Sequence, residues 1–132
     1  MKSEWIISLS ILVTLIFIAY SAFSLNDSQE NDNGLPVYAL KDAQTQEAYL
    51  FARDNPLALD GVNCHCGCMS TVHNGRVHRR GLLDCFIQED RSYEIHGAQC
   101  AMCIIDALQV KQLTNEGKTK EEIKSIIDSK YY

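Results

Sequence analysis

Asn63-Cys64-His65-Cys66-Gly67-Cys68 puts three thiols at alternate positions, with a histidine and a glycine between them. Thiols this close crowd one another as disulfide partners, because several pairings compete over the same short span. A loop of this kind is better suited to surrounding one ion, with Gly67 letting the backbone curl. Outward from it lie Cys85 and then Cys100-Ala101-Met102-Cys103, which completes the six cysteines of the chain. All four histidines, His65, His73, His78 and His96, fall in the same stretch, and Met69 and Met102 adjoin cysteines.

Three chemistries compete for this constellation. Metal binding is the first. Cys100 and Cys103 are three apart at the start of a predicted helix, so they share a face and form a two-thiolate half-site. The helix N-terminus favours their ionised form. Cys64, Cys66 and Cys68 supply the other half, and Cys85 with a histidine completes one tetrahedral site or contributes to a second. His65 and His96 adjoin thiols and are the stronger imidazole candidates. His78 is a further ligand candidate, although His73 and His78 also read as solvated loop residues beside Arg76, Arg79 and Arg80. Soft sulfur donors with imidazole select copper first and zinc second, whereas magnesium and calcium want oxygen. The spacing matches no zinc finger or ferredoxin, and Ile104 after Cys103 excludes a Cys-x-x-Cys-His haem attachment. The second chemistry is structural: an even cysteine count in a small exported domain normally means disulfides, each contributing about 2–4 kcal/mol. The third is thiol–disulfide exchange through Cys100 and Cys103, whose spacing is that of a redox pair.

The flanking sequence predicts helices around this loop. Residues 37–54 read as helical, with Asp42, Gln46 and Arg53 on one side and Leu40, Ala43, Leu50 and Phe51 on another. Asn55-Pro56 ends that helix. Residues 55–98 show no sustained period and read mostly as loops and turns. A second helix is expected from about Ala98 to Glu116, with Ile104, Ala107, Leu108 and Leu113 as its apolar stripe and Gly117 as its stop. Thr119-Lys120-Glu121-Glu122 is a capping-box pattern opening a third helix with Ile123, Ile126 and Ile127.

Charge and hydropathy bound the remainder. Residues 26–63 carry seven acids against Lys41 and Arg53, a balance of −5, whereas residues 64–132 carry nine charges of each sign. The cysteine-rich half is therefore neutral, and no basic patch for nucleic acid is present. A phosphate-cradling glycine loop and a Gly-x-Ser-x-Gly elbow are also missing from the sequence. No general acid–base pair stands out, so an independent enzyme is not expected. Between Trp5 and Asn26 there is no charged side chain. That run is long enough to span a bilayer, and residues 1–25 read as a transmembrane anchor, with a cleaved signal segment as the rival. Lys2 before the run weakly orients the rest away from the cytoplasm. Residues 26–36 form an acidic tether, and 37–132 a small cysteine-rich helical domain.

Asn63-Cys64-His65-Cys66-Gly67-Cys68, His78, Asp84-Cys85-Phe86, His96-Gly97-Ala98-Gln99-Cys100-Ala101-Met102-Cys103 and the terminal Ile127-Asp128-Ser129-Lys130-Tyr131 together resemble the PCYCGC-motif family. The resemblance spans residues from about 38 to 132. It implies an exported protein with a shared cysteine core, often lipid-anchored in bacteria and archaea, and no established reaction. The chain departs from the signature at Asn63, where proline is expected, and at His65, where tyrosine is expected. It also has no lipoprotein cysteine.

The expected protein is mainly α: an N-terminal transmembrane helix followed by a small helical domain with a cysteine-rich loop. It would sit at the cell membrane with its domain on the extracytoplasmic side, or be secreted after cleavage. It would sequester copper or zinc, or deliver the ion to a membrane metalloenzyme. The alternatives are a redox thiol protein that assists assembly of such an enzyme, and a disulfide-stapled interaction module.

Overall fold

Asp42 divides the helix expected over residues 37–54. Its backbone is extended (φ −156°, ψ 167°), and its side chain accepts a hydrogen bond from the Thr45 amide at 2.7 Å. The helical ladder cannot run through such a residue, so Asp42 caps a new helix instead. A 3₁₀ turn, Val37–Leu40, comes before it, and helix α1, Ala43–Asp54, follows. The computed structural model describes residues 33–72 and 75–132. The chain divides after Gly34, and the second unit, Leu35–Tyr132, carries every cysteine. The expected membrane anchor or signal at residues 1–25 lies outside the described residues, as do most of the acidic tether and His73. Among the described residues no helix is long and apolar enough to cross a membrane.

The buried face of α1 is Thr45, Ala48, Tyr49, Phe51 and Ala52. Ala43, expected on that face, is exposed, and Leu50 is half-buried. The buried face combines the aromatic rings of Tyr49 and Phe51 with the small Ala48 and Ala52. Ala48 and Ala52 let α1 approach the long helix α4, Ala101–Asn115, its main packing partner.

Asn55-Pro56 ends α1 as expected, and Pro56 then occupies the first position of a one-turn helix α2, Pro56–Leu59. That position suits proline because its missing N–H has no helical partner there. The stretch predicted to be loops contains two further single turns. One is the 3₁₀ turn Gly81–Cys85, and the other is α3, His96–Gln99. Between them Ile87 and Tyr93 form an isolated antiparallel bridge, and no strand occurs among the described residues.

The second predicted helix starts earlier and is broken once. Cys100 adopts an extended backbone (φ −123°, ψ 105°), ending α3 and serving as N-cap of α4. Its C-terminus carries the expected glycine. Gly117 has φ 76°, its amide bonds Thr114 O at 3.0 Å, and the Lys118 amide bonds Leu113 O at 3.0 Å. This paired pattern satisfies carbonyls the helix leaves open. Helix α5, Lys120–Asp128, opens on the predicted capping box, in which Thr119 Oγ1 accepts from the Glu122 amide and Glu122 Oε2 accepts from the Thr119 amide.

Tyr49, Leu59, Val62, Leu82, Phe86, Val110 and Ile127 are the large apolar side chains at the centre of the core. Phe86 meets the Tyr49 ring edge-on, with centroids 5.1 Å apart. The Tyr49 hydroxyl donates to Glu94 O and accepts from the Ala98 amide at 3.0 Å. A single buried phenol thereby ties α1 to the turn that delivers His96.

Candidate metal centre

Four segments bring sulfur to one place: the loop from Cys64 to Cys68, the 3₁₀ turn ending at Cys85, the cap Cys100, and Cys103 in the first turn of α4. The loop bends at Gly67, whose φ of 91° is open to glycine and strained for other residues. Its Ser70 and Thr71 amides and hydroxyls all bond Gly67 O, closing the bend. The turn carrying Cys85 is braced by Arg80. That guanidinium reaches the Asp84 carboxylate (Nε–Oδ1 2.6 Å) and Ile87 O (2.7 Å), so one of the three arginines has a structural role. Arg76 and Arg79 are exposed.

The sulfurs pack against each other. Cys64 Sγ lies 3.0 Å from Cys66, 3.4 Å from Cys85 and 3.6 Å from Cys103. Cys66 lies 3.1 Å from Cys68 and 3.9 Å from Cys103. Cys85 lies 3.4 Å from Cys103 and 3.9 Å from Cys68. All six thiols are free. A disulfide would bring two sulfurs to ~2.05 Å. Two thiolates on one tetrahedral zinc, each bonded at ~2.3 Å, sit about 3.8 Å apart. Most of the observed separations belong to the second scale.

Two imidazoles join the cluster. His78 Nδ1 is 3.4 Å from Cys85 Sγ, and His96 Nε2 is 3.4 Å from Cys66 Sγ. Their rings meet edge-on at 5.0 Å. His78, expected to be equally at home in solvent, is buried at 4% exposure, and its amide bonds Cys68 O. Burial, aided by the nearby His96, pushes its pKa down and keeps the ring neutral, which is the form that ligates metal.

Four overlapping donor groups result: Cys66, His96, Cys100 and Cys103; Cys68, His78, Cys85 and His96; Cys64, Cys66 and Cys68; and Cys64, Cys85 and Cys103. The structure thus brings together all six predicted cysteines with His78 and His96. It does not bring His65. That ring turns to the opposite side, where Nε2 pairs with Asp128 Oδ1 at 2.9 Å and the ring stacks on Tyr131 at 4.2 Å. Met69 is beside the cluster but spends its sulfur on the Cys64 amide, at 3.2 Å.

Proton sharing concentrates charge on two of the thiols. Cys64 is pushed well below the ordinary thiol range by the thiols around it, Cys103 foremost. Cys66 is pulled down to about 4, chiefly by the Cys85 thiol. Cys68, Cys85 and Cys103 are raised, chiefly by the thiols they face, Cys64 for Cys68 and Cys103 and Cys103 for Cys85, and burial adds to the effect. A buried cluster of this kind holds a cation readily, since its sulfurs already stabilise local negative charge. Beside His78 a cleft of about 590 Å³ opens, lined by Val77, His78, Arg79, Asp84 and Gln88 among others.

The sequence missed a second polar group, on the other side of the cysteine loop. Asp106 is fully buried in α4, accepting from the Tyr131 hydroxyl at 3.0 and 3.1 Å and pairing with Lys130. Burial and the Asp106 carboxylate push the Tyr131 hydroxyl up to about 12. An aspartate at the buried stripe of a helix, with Lys130 one residue from the terminal tyrosines, was the available signal.

The family described as protein of unknown function with PCYCGC motif matches residues 20–132, a longer span than the resemblance from residue 38. No curated protein and no solved structure matches the chain.

Proposed function

The chain belongs to the PCYCGC-motif family, whose activity is not established, and from that premise we propose that it binds a soft metal ion, copper before zinc, and sequesters it or passes it on. The observation that carries this reading is the convergence of six free thiols and two buried imidazoles on overlapping donor groups. Sulfur donors with neutral imidazole favour Cu(I) and zinc over hard cations. The cleft beside His78 touches the cluster through that buried ring alone, and no cysteine lines it. In this reading residues 1–25 hold the domain at the cell membrane on its extracytoplasmic side, and the recipient is a membrane metalloenzyme.

The test is a preparation of the full chain under anaerobic conditions, with elemental analysis and a free-thiol count on the same sample. Near-stoichiometric copper or zinc with thiols retained is expected. Six oxidised cysteines and no metal would sink the proposal.

One observation favours a second reading, thiol–disulfide exchange in assembly of such an enzyme. Cys66 combines a lowered pKa with partial exposure, the setting of a reactive thiolate. This reading expects a reversible two-electron couple in the metal-free protein, in which Cys66 and a neighbouring thiol, Cys64 at 3.0 Å or Cys68 at 3.1 Å, become a disulfide as a partner's disulfide is reduced to two thiols, and Cys66→Ser abolishes it.

A further inference from the structure

The difference between sulfur and nitrogen donors limits how the four groups can be filled. A thiolate sulfur has lone pairs enough to bridge two metal ions, whereas one imidazole nitrogen has a single lone pair and serves one. The two groups that contain histidine share His96, so filling both at once would need both nitrogens of that one ring, as a bridging imidazolate. The two all-sulfur groups share Cys64, and a bridging thiolate lets both be filled together.

The geometry points to a dinuclear centre bridged by Cys64, with one soft ion on Cys64, Cys66 and Cys68 and a second on Cys64, Cys85 and Cys103. This deepens, and rests on, the metal-binding reading above. Cys64 is placed for the bridge: it touches Cys66 on one side at 3.0 Å, and Cys85 and Cys103 on the other at 3.4 and 3.6 Å. Each lobe has its own imidazole in reach, His96 at Cys66 and His78 at Cys85. A single ion would leave the other lobe's sulfurs packed together in the interior with nothing to bind, although Cys68, Cys85 and Cys103 are all fully buried. Three sulfurs alone suit Cu(I), whereas zinc, which almost always takes four ligands in structural sites, would also draw on the imidazole of each lobe. Cys100 belongs to neither lobe and stands as an outlying thiol. Loading involves no change of oxidation state: each thiol gives its proton to solvent as its sulfur takes up the metal.

The experiment titrates the reduced full chain, in detergent and without oxygen, with Cu(I) supplied as its acetonitrile complex. Native mass spectrometry reads the stoichiometry, and X-ray absorption at the copper edge reads the neighbours of each ion. Saturation at two ions per chain, with a copper–copper shell beside sulfur, is expected. Saturation at one ion overturns the dinuclear centre and leaves metal binding standing, whereas no bound copper defeats both. Three or more ions also overturn it. Cys64→Ser should fall to one ion or none and lose the copper–copper shell, and its retention of two bridged ions would refute the bridge. Cys100→Ser should still take two, and loss of one would shift the assignment to the group containing His96 and Cys100. The wild-type absorption spectrum decides the question even where Cys64→Ser fails to fold.

Discussion

Asp128 explains both departures of this chain from the family signature. Its two oxygens accept from Asn63 Nδ2 at 3.0 Å each, and Oδ1 also meets His65 Nε2. The residues found where proline and tyrosine are expected are thus bound by one carboxylate at the end of α5. Together with the His65–Tyr131 stack, this pins the cysteine loop to the C-terminal segment. Asp128→Ala should lower stability by about 1–2 kcal/mol, a modest figure because the carboxylate is 31% exposed. It should also speed copper transfer from the protein to a competing chelator several-fold, since the loop loses its anchor while every sulfur remains. Thermal unfolding and stopped-flow transfer measure the two effects, and an unchanged transfer rate would deny the loop its anchor. The position of His65 was not legible in the sequence, because adjacency along a chain does not mean adjacency in space. From His65 onward the loop is a run of turns, in which successive side chains leave in different directions. The sulfurs of Cys64 and Cys66 therefore face the cluster while the ring between them faces away.

Among the elements, the break at Cys100 matters most to the centre. A continuous helix from His96 to Asn115 would fix His96 and Cys103 on a single helical surface. The extended residue between α3 and α4 frees that spacing and lets both reach Cys66. Gly97 permits the approach. A β-carbon there would lie 2.6 and 2.7 Å from the Phe86 ring and 2.8 Å from Cys85 O. Phe86 is fully buried and cannot yield, so Gly97→Ala should cost about 1–3 kcal/mol and weaken metal binding by displacing His96 from Cys66. A thermal midpoint equal to wild type would contradict this packing account. Element ends were the most legible feature of the sequence. Thr119, Gly117 and Asn55-Pro56 act through bonds within a few residues of themselves, so local chemistry settles them. The caps at Asp42 and Cys100 were missed: each lies within an apolar periodicity that runs on past it, and periodicity does not register a single extended residue.

For the whole molecule, the proposed metal binding would be coupled to folding. The domain has a small core, and its largest buried polar assembly is the cysteine cluster itself. A ligand held only by the folded form stabilises it by about 2.7 kcal/mol at a hundredfold excess over Kd. In a domain of this size that corresponds to roughly 10–20 °C. Removing copper with a chelator under reducing conditions should lower the melting temperature by that order, and differential scanning calorimetry reads it directly. The list of cluster cysteines was legible in the sequence because density and alternation are local properties. The burial of His78, and the partners of Asp106 in Lys130 and Tyr131, were not, since they depend on chain segments brought together from a distance.

The two triads at Cys64 also differ in how far the chain must travel to close them. Cys64, Cys66 and Cys68 lie within five residues, whereas joining Cys64 to Cys103 spans 39 positions. Loop-closure entropy grows with that span, so the short triad can capture an ion in a chain that has not yet collapsed. The long triad exists only after the turn at Cys85 and helix α4 have arrived. In the proposed dinuclear centre, loading would therefore be ordered in time: the loop would take the first ion, and the second would register that the domain has folded around it.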